Sequence, residues 1–382
     1  MIPLAEPDLS GNEARYLQEC VASNYVSSIG PFVERFEALI AQSAGTATAV
    51  ATCSGTAGLH VALVAIGVGR GDLVVTPAYS FIATANAVAI AGADPWFVDI
   101  SPASWTLDPE ALDGALARDV VRNGTIAIHR PTGRRVAAIL PVHTLGHPAD
   151  LDAIAVVARR YGVPIVADAA AAIGASYRGK PVGAAGADLS VFSFNGNKTI
   201  TSGGGGAVVG SDPALVKRVR HLSATARAGT AYQHDAVAFN YRMTNLQAAV
   251  GCAQMERLGP IMAAKRGVRA RYVAGLAGVN GASVPPAAAW AESAFWINGI
   301  ELTDATDARR AAAIDRLRKD GIDAREFWQP LHRQQPYRGA LVETLTNSER
   351  LAAGFIALPS SSNLSAGDQE RVVAACRRAL AD

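Results

Sequence analysis

Short apolar strands alternate with helical patterns from residue 57 to residue 223, and that alternation limits the fold more than any other feature of the chain. Strand-like runs at 73–76, 96–100, 137–142, 165–167, 189–193 and 207–210 are separated by helical patterns at 57–66, 81–91, 109–117, 150–161 and 213–223. Strands that alternate with helices in this way predict an α/β fold, a mostly parallel sheet with helices on both faces. Residues 126–136 read as a small hairpin, with Pro131 and Gly133 at its turn, inserted before the strand that leads to His143. From about residue 255 the pattern changes to a long basic helix, a bend at Pro285-Pro286, a strand at 294–302 and helices at 307–319 and 367–381. The change divides the 382 residues into a large unit, 1–254, and a smaller C-terminal α+β unit, 255–382.

Composition removes several function classes. Half the residues are hydrophobic and 18% are charged, so a substantial core is available. A net charge of +2, with basic runs as short as Lys217-Arg218-Val219-Arg220, gives no concentrated face for a nucleic-acid partner. The four cysteines, Cys20, Cys53, Cys252 and Cys376, are widely spaced, which argues against a metal knuckle or a redox dithiol, and no metal is expected. Glu6 and Asp8 stand where a secretory signal needs a basic and then an apolar stretch, so the expected compartment is a reducing cytoplasm. Residues 73–93 contain no Asp, Glu, Lys or Arg, a length that could span a bilayer, but Pro77, Ser80, Thr84, Asn86 and Gly92 interrupt it. Strand, loop and buried helix explain that stretch better than membrane insertion does.

Chemistry concentrates in three places. Lys198 closes Ser193-Phe194-Asn195-Gly196-Asn197-Lys198 and is followed by four glycines, Gly203 to Gly206, an arrangement that lets one flexible amine reach a carbonyl compound on the loop. Thirty residues upstream, the apolar run from Val163 ends in Asp168. A carboxylate at the carboxyl end of a buried strand sits where open parallel sheets hold ligands. A lysine imine and an acid on the pyridine nitrogen are the pair that pyridoxal phosphate enzymes use. Third, Cys53-Ser54-Gly55-Thr56-Ala57 runs into an apolar helix, so hydroxyls and free N–H groups converge on a positive helix end suited to a phosphate. Gly67, Gly69 and Gly71 follow a helix and precede a strand, the reverse of a dinucleotide fingerprint.

As a set, Ser54-Gly55-Thr56, Thr76-Pro77-Ala78-Tyr79-Ser80-Phe81, Val166-Ala167-Asp168-Ala169-Ala170, residues 193–198 and Phe239-Asn240-Tyr241-Arg242-Met243-Thr244-Asn245 through Ala249 resemble the DegT/DnrJ/StrS sugar aminotransferases, from Pro7 almost to the carboxyl end. The resemblance implies a pyridoxal phosphate enzyme of the aspartate aminotransferase-like fold. Its implied site has Lys198 as Schiff-base lysine and proton shuttle, Asp168 on the pyridine nitrogen, and Gly55, Thr56, Ala57 and Ser193 around the phosphate. Phe81 would lie against the ring, and Asn240 would reach the phosphate of a neighbouring subunit in an obligate homodimer. The amino group would pass from an amino acid, with glutamate implied, to a nucleotide-linked keto sugar. Residues 24–37 and 325–332 are similar to segments that flank the sugar nucleotide in the branch aminating C4 of UDP-linked 4-keto-6-deoxy-N-acetylhexosamines. Asn24, Tyr25, Ser27, Arg325, Trp328 and His332 are the substrate-contact positions so implied.

The chain departs from its relatives in two places. Ala171 stands where they usually place Gln, His or Glu, and Glu326-Phe327 stands where they tend to have Pro-Leu. Retention of Lys198 argues against the subset in which histidine replaces it and dehydration replaces transamination. Beside a C4 aminotransferase, the sequence leaves open a C3-specific enzyme, a cofactor-bound regulator or weakly active homologue, and a sugar-nucleotide binding protein without pyridoxal phosphate.

Overall fold

The computed structural model describes residues 1–230 and 232–380. Read across the molecule, the strands run Ala49–Thr52, Gly206–Val209, Leu189–Ser193, Val166–Asp168, Arg134–Ile139, Leu73–Pro77, Asp94–Val98 and Leu341–Val342. Single parallel bridges, Ile139 to Ile165 and Val142 to Asp168, join the two halves. Gly206–Val209 runs antiparallel to both its neighbours, and the other pairings are parallel. The expected mostly parallel sheet is therefore present. Its physical cause is visible in Leu73–Pro77 and Leu189–Ser193, where every residue is buried, the signature of strands covered on both faces.

Alternate side chains divide between two apolar layers. Val74, Val191 and Val208 pack under the helices Gly55–Ala65, Ile82–Ile90 and Pro213–Ser223. Phe192 and Ala207 face the opposite layer, with the helices Pro31–Ala44 and Asn245–Glu256. Phe36 is fully buried there, its ring 5.0 Å from that of Phe194. A Cβ on Gly251 would stand 2.6 Å from the Phe36 ring, which explains a glycine in mid-helix.

The hairpin at 126–136 is present as Ile126–His129 against the start of Arg134–Ile139, and Val120–Asn123 adds a third strand to it. The long basic helix is present as Leu258–Gly275, directly preceded by the helix Asn245–Glu256. The expected strand at 294–302 is confined to Asn298–Leu302. The last helix runs Ala366–Ala379, and Ala381, in the expected range, lies outside the described residues.

A second, antiparallel sheet orders Ala282–Ser283, Asn298–Leu302, Phe355–Leu358 and Arg325–Glu326. Its core holds Tyr272, Ile300, Leu317, Leu358 and Cys376, and also Ile2, which bridges to Ile322. The amino end of the chain thus packs with the C-terminal sheet. Asp99, just past the strand Asp94–Val98, ties this region to the main sheet. Its carboxylate accepts from the N–H groups of Asn347 and Ser348, both at 2.8 Å, and from the Ser348 hydroxyl at 2.7 Å. Among the described residues no helix is long and apolar enough to cross a membrane.

Because Phe36 supports the loop that begins at Phe194, Phe36→Ala is expected to lower the unfolding free energy by about 3–5 kcal/mol, the usual cost of truncating a buried Phe. Urea denaturation followed by circular dichroism measures it, and a loss below about 1 kcal/mol would contradict this packing role.

Candidate active site

A cavity of about 390 Å³ opens at the carboxyl ends of the central strands. Asp168 ends its strand there and is buried. Thr84 Oγ1 donates to Asp168 Oδ2 at 2.7 Å, and the Ala170 N–H donates to Oδ1 at 3.1 Å. With the Thr84 proton committed to the carboxylate, the Ser80 hydroxyl, 2.7 Å from Thr84 Oγ1, is the donor in that pair. Burial raises the Asp168 carboxyl above the usual carboxylate range, against the pull of Thr84, Ala170 and the charge of Lys198. A buried acid short of positive charge is poised for a cationic partner.

Lys198 enters the same cavity from a turn closed by its own N–H, which donates to the Asn195 oxygen at 3.0 Å. Its Nζ sits 3.7 Å from the centroid of the Trp296 ring. The Trp296 Nε1–H donates to the Asn197 oxygen at 2.5 Å, so the indole holds loop and amine together. The residue keeps some exposed surface, but cavity walls surround the amine. That desolvation brings its pKa down to about 8, with the Asp168 charge acting the other way.

The glycines bring the third element close. A Cβ on Gly206 would lie 2.7 Å from the Gly55 backbone, and one on Gly55 would lie 2.8 Å from the Ser193 Cβ. The strand therefore presses against the start of the helix Gly55–Ala65, where Ser54, Gly55, Thr56 and Ser193 line one end of the cavity. The first turn of a helix has N–H groups without intrahelical acceptors. The Ala57 N–H, however, donates to the Ser54 hydroxyl at 3.0 Å. Ala57 is thus a capped helix residue behind the cavity wall, one turn into the helix that Ser54, Gly55 and Thr56 open.

Of the other expected positions, Phe81 and Trp328 line the cavity. Phe81 is half exposed at the start of its helix, and Trp328 packs 5.6 Å from the Tyr79 ring. Asn24, Tyr25 and Ser27 lie on an exposed loop apart from the cavity, fastened by Asn245, whose N–H donates to the Ser27 oxygen and whose Nδ2 donates to that of Tyr25. Arg325 lies outside the cavity lining, its guanidinium donating to Asp323 at 2.7 and 2.9 Å. His332 likewise pairs with Glu349 at 2.7 Å, outside the cavity wall. Asn240 lies in a separate basic crevice with Lys217 and Arg242. Thr84, Trp296 and His143 are among the cavity residues that the sequence did not single out as a site, and Phe327, in one of the two departures from the relatives, lines the cavity as well.

An acid for a ring nitrogen, an amine, and an anion-binding end in a cavity of this size fit pyridoxal phosphate. Fold and cavity together define the class of pyridoxal phosphate enzymes with an aspartate aminotransferase-like fold. Residues 7–377 match the DegT/DnrJ/EryC1/StrS aminotransferase family. The chain is 37% identical over 381 residues to the GDP-perosamine synthase of Caulobacter vibrioides, covering 99% of this chain and 98% of that one. It is 36% identical over 357 residues to the GDP-perosamine synthase of Vibrio cholerae, covering 91% of each. The crystal structure of the aminotransferase TlmJ from Streptoalloteichus hindustanus superposes with a TM-score of 0.88 at 31% identity, covering 100% of this chain and 99% of that chain. The protein belongs to the DegT/DnrJ/EryC1/StrS family and is a pyridoxal phosphate-dependent sugar aminotransferase. A sugar-nucleotide binding protein without the cofactor is thereby set aside.

Asp168 gives a sign that can be measured. Its folded pKa lies above that of the unfolded chain, so the folded state binds the proton more tightly and ionisation opposes folding as the pH rises past the ordinary value of 3.8. The cofactor-free Asp168→Asn protein is expected to melt no lower than cofactor-free wild type at pH 7, while its pyridoxal phosphate affinity falls on the order of 100-fold. Calorimetry and absorbance titration check the two halves, and a lower melting temperature with unchanged affinity would contradict this reading of the carboxylate.

Proposed function

We propose that this protein transfers an amino group from glutamate to C4 of a nucleotide-linked 4-keto-6-deoxy sugar. The observation that carries the reading is the meeting of Lys198 and Asp168 in one cavity whose far end is built from Ser54, Gly55, Thr56 and Ser193. Full-length relatives that are GDP-perosamine synthases, C4 enzymes, support the regiochemistry. Their names favour a GDP-linked sugar over the UDP-linked N-acetylhexosamine implied by the resemblance of residues 24–37 and 325–332.

Pyridoxal phosphate supplies, when bound, an electron sink for the pair left at carbon when a proton departs. Asp168, oriented by Thr84, stays ionised and keeps a proton on the ring nitrogen. Lys198 moves the proton between carbons. With a pKa of about 8, a useful fraction of its amine is free base near neutrality. Trp296 steadies that amine, Gly55, Thr56 and Ser193 hold the phosphate, and Phe81 covers the ring. Two half-reactions through one site give ping-pong kinetics.

Asn240 stands apart from the cavity of its own chain, which supports the reading that it serves the site of a second copy in a homodimer. Tyr25, Ile29 and Val237 are exposed apolar residues suited to cover by that copy. Under this arrangement the loop of Asn24, Tyr25 and Ser27 contacts substrate at the partner's cavity. Arg325 and His332, held by Asp323 and Glu349, flank the segment that carries Trp328 to the cavity. Ala171, whose methyl group offers no polar contact, is the observation behind the second reading, a cofactor-bound regulator or weak enzyme.

Purified protein is expected to be yellow, to bleach with glutamate, and to recover colour with a GDP- or UDP-linked 4-keto-6-deoxy sugar as mass spectrometry detects the amino sugar. Colour without amine transfer to either sugar favours the regulator. Lys198→Ala should lower turnover at least about 1,000-fold, and unchanged turnover in that variant would refute the assignment.

A further inference from the structure

Past Ile139 the chain runs through Leu140, Pro141 and Val142 to His143, beside Asp168. The His143 N–H donates to the Asp168 carbonyl oxygen at 2.9 Å, and the imidazole lines the cavity. The side chain is 1% exposed. The backbone N–H of Ala149 donates to His143 Nδ1 at 3.0 Å, which puts the lone pair on Nδ1 and the ring proton on Nε2. Among the described residues Nε2 has no hydrogen-bond partner. Burial, reinforced by His147, holds the pKa down to about 3, so the ring is a neutral donor throughout the working range. The titratable groups around it are Asp168 and Lys198, which share the cavity, and His147.

A buried N–H without an acceptor costs free energy and is uncommon in native proteins. In the wall of a ligand cavity, a bound ligand is the candidate for the missing acceptor. Val142, Ala170 and Ala171, which line the cavity with His143, offer no side-chain donor, and the Ala170 N–H is already given to Asp168. The connectivity of the cofactor limits the choice. With the ring nitrogen on Asp168, the aldehyde carbon toward Lys198 and the phosphate arm toward Gly55 and Thr56, the polar atom left over is the phenolic oxygen, on the ring edge away from that arm. We propose that the Nε2–H of His143 donates to the phenolic oxygen of pyridoxal phosphate and supplies the contact that the methyl group of Ala171 cannot. The inference rests on the cofactor seating given above and is independent of which sugar is aminated.

A donor here favours the anionic oxygen and weakens its hold on the neighbouring proton, which lowers the pH at which the visible absorbance band of the loaded protein changes form. The experiment titrates that band, without sugar or amino acid, in wild type, His143→Leu and His143→Gln. Loss of one charge-assisted hydrogen bond should raise the His143→Leu midpoint by about one pH unit, and His143→Gln, which keeps an N–H donor, should stay nearer wild type. A wild-type midpoint in His143→Leu overturns the contact. Should His143→Leu fail to fold, ¹⁵N-histidine-labelled wild type provides the second readout. The Nε2–H resonance should move downfield on loading pyridoxal phosphate but not its 3-deoxy analogue, and identical responses to both overturn the proposal. A wild-type protein with no visible band counts against the cofactor seating itself, whereas a normal band that His143→Leu leaves unmoved counts against His143 alone.

Discussion

A carboxylate taken out of water is the constraint around which this molecule is arranged. Asp168 ends a strand that is parallel-paired on one side and bridged on the other, so its backbone is fixed by the sheet. Two donors hold its oxygens, and neither is a cation. Such a group favours protonation until positive charge arrives. A protonated ring nitrogen provides that charge, and the chemistry of transamination needs the nitrogen protonated. The cost of burying Asp168 in the protein alone and its use in the loaded enzyme are thus two sides of one electrostatic arrangement.

A perturbed amine by itself would not identify the reactive lysine. Lys265 is the more perturbed case, its pKa brought down to about 7 by burial with no acid opposing it, below the value of about 8 for Lys198. Its Nζ, however, donates to the backbone oxygens of Trp296 and Ser360 at 3.0 and 2.7 Å, which fastens the helix Leu258–Gly275 to the C-terminal sheet. Lys198 has an aromatic face beneath it and lines the Asp168 cavity. Perturbed pKa values mark structural networks as well as active sites, and here the cavity separates the two.

The parts of the site legible in the sequence are those carried by local pattern. Asp168 closes an apolar run, Lys198 precedes a glycine tract, and Ser54 to Thr56 open a helix, so each announces itself within a few residues. The fold was legible for the same reason, since completely buried strands read as unbroken apolar runs. Contacts between distant segments left no such signal. Thr84 bonds Asp168 across 84 residues, and Trp296 meets Lys198 from the other side of the chain. Arg325 and His332 look free in the sequence because Asp323 and Glu349 become their partners only through local turns and tertiary packing.

The most direct measurement of the central claim asks which amine carries the cofactor. Protein loaded with pyridoxal phosphate is reduced with borohydride, digested, and its peptides mapped by mass spectrometry. The expected result is a single pyridoxyl label on Lys198. A label on Lys265, or label spread over surface lysines, would contradict the pairing of Lys198 with Asp168 on which the rest is built.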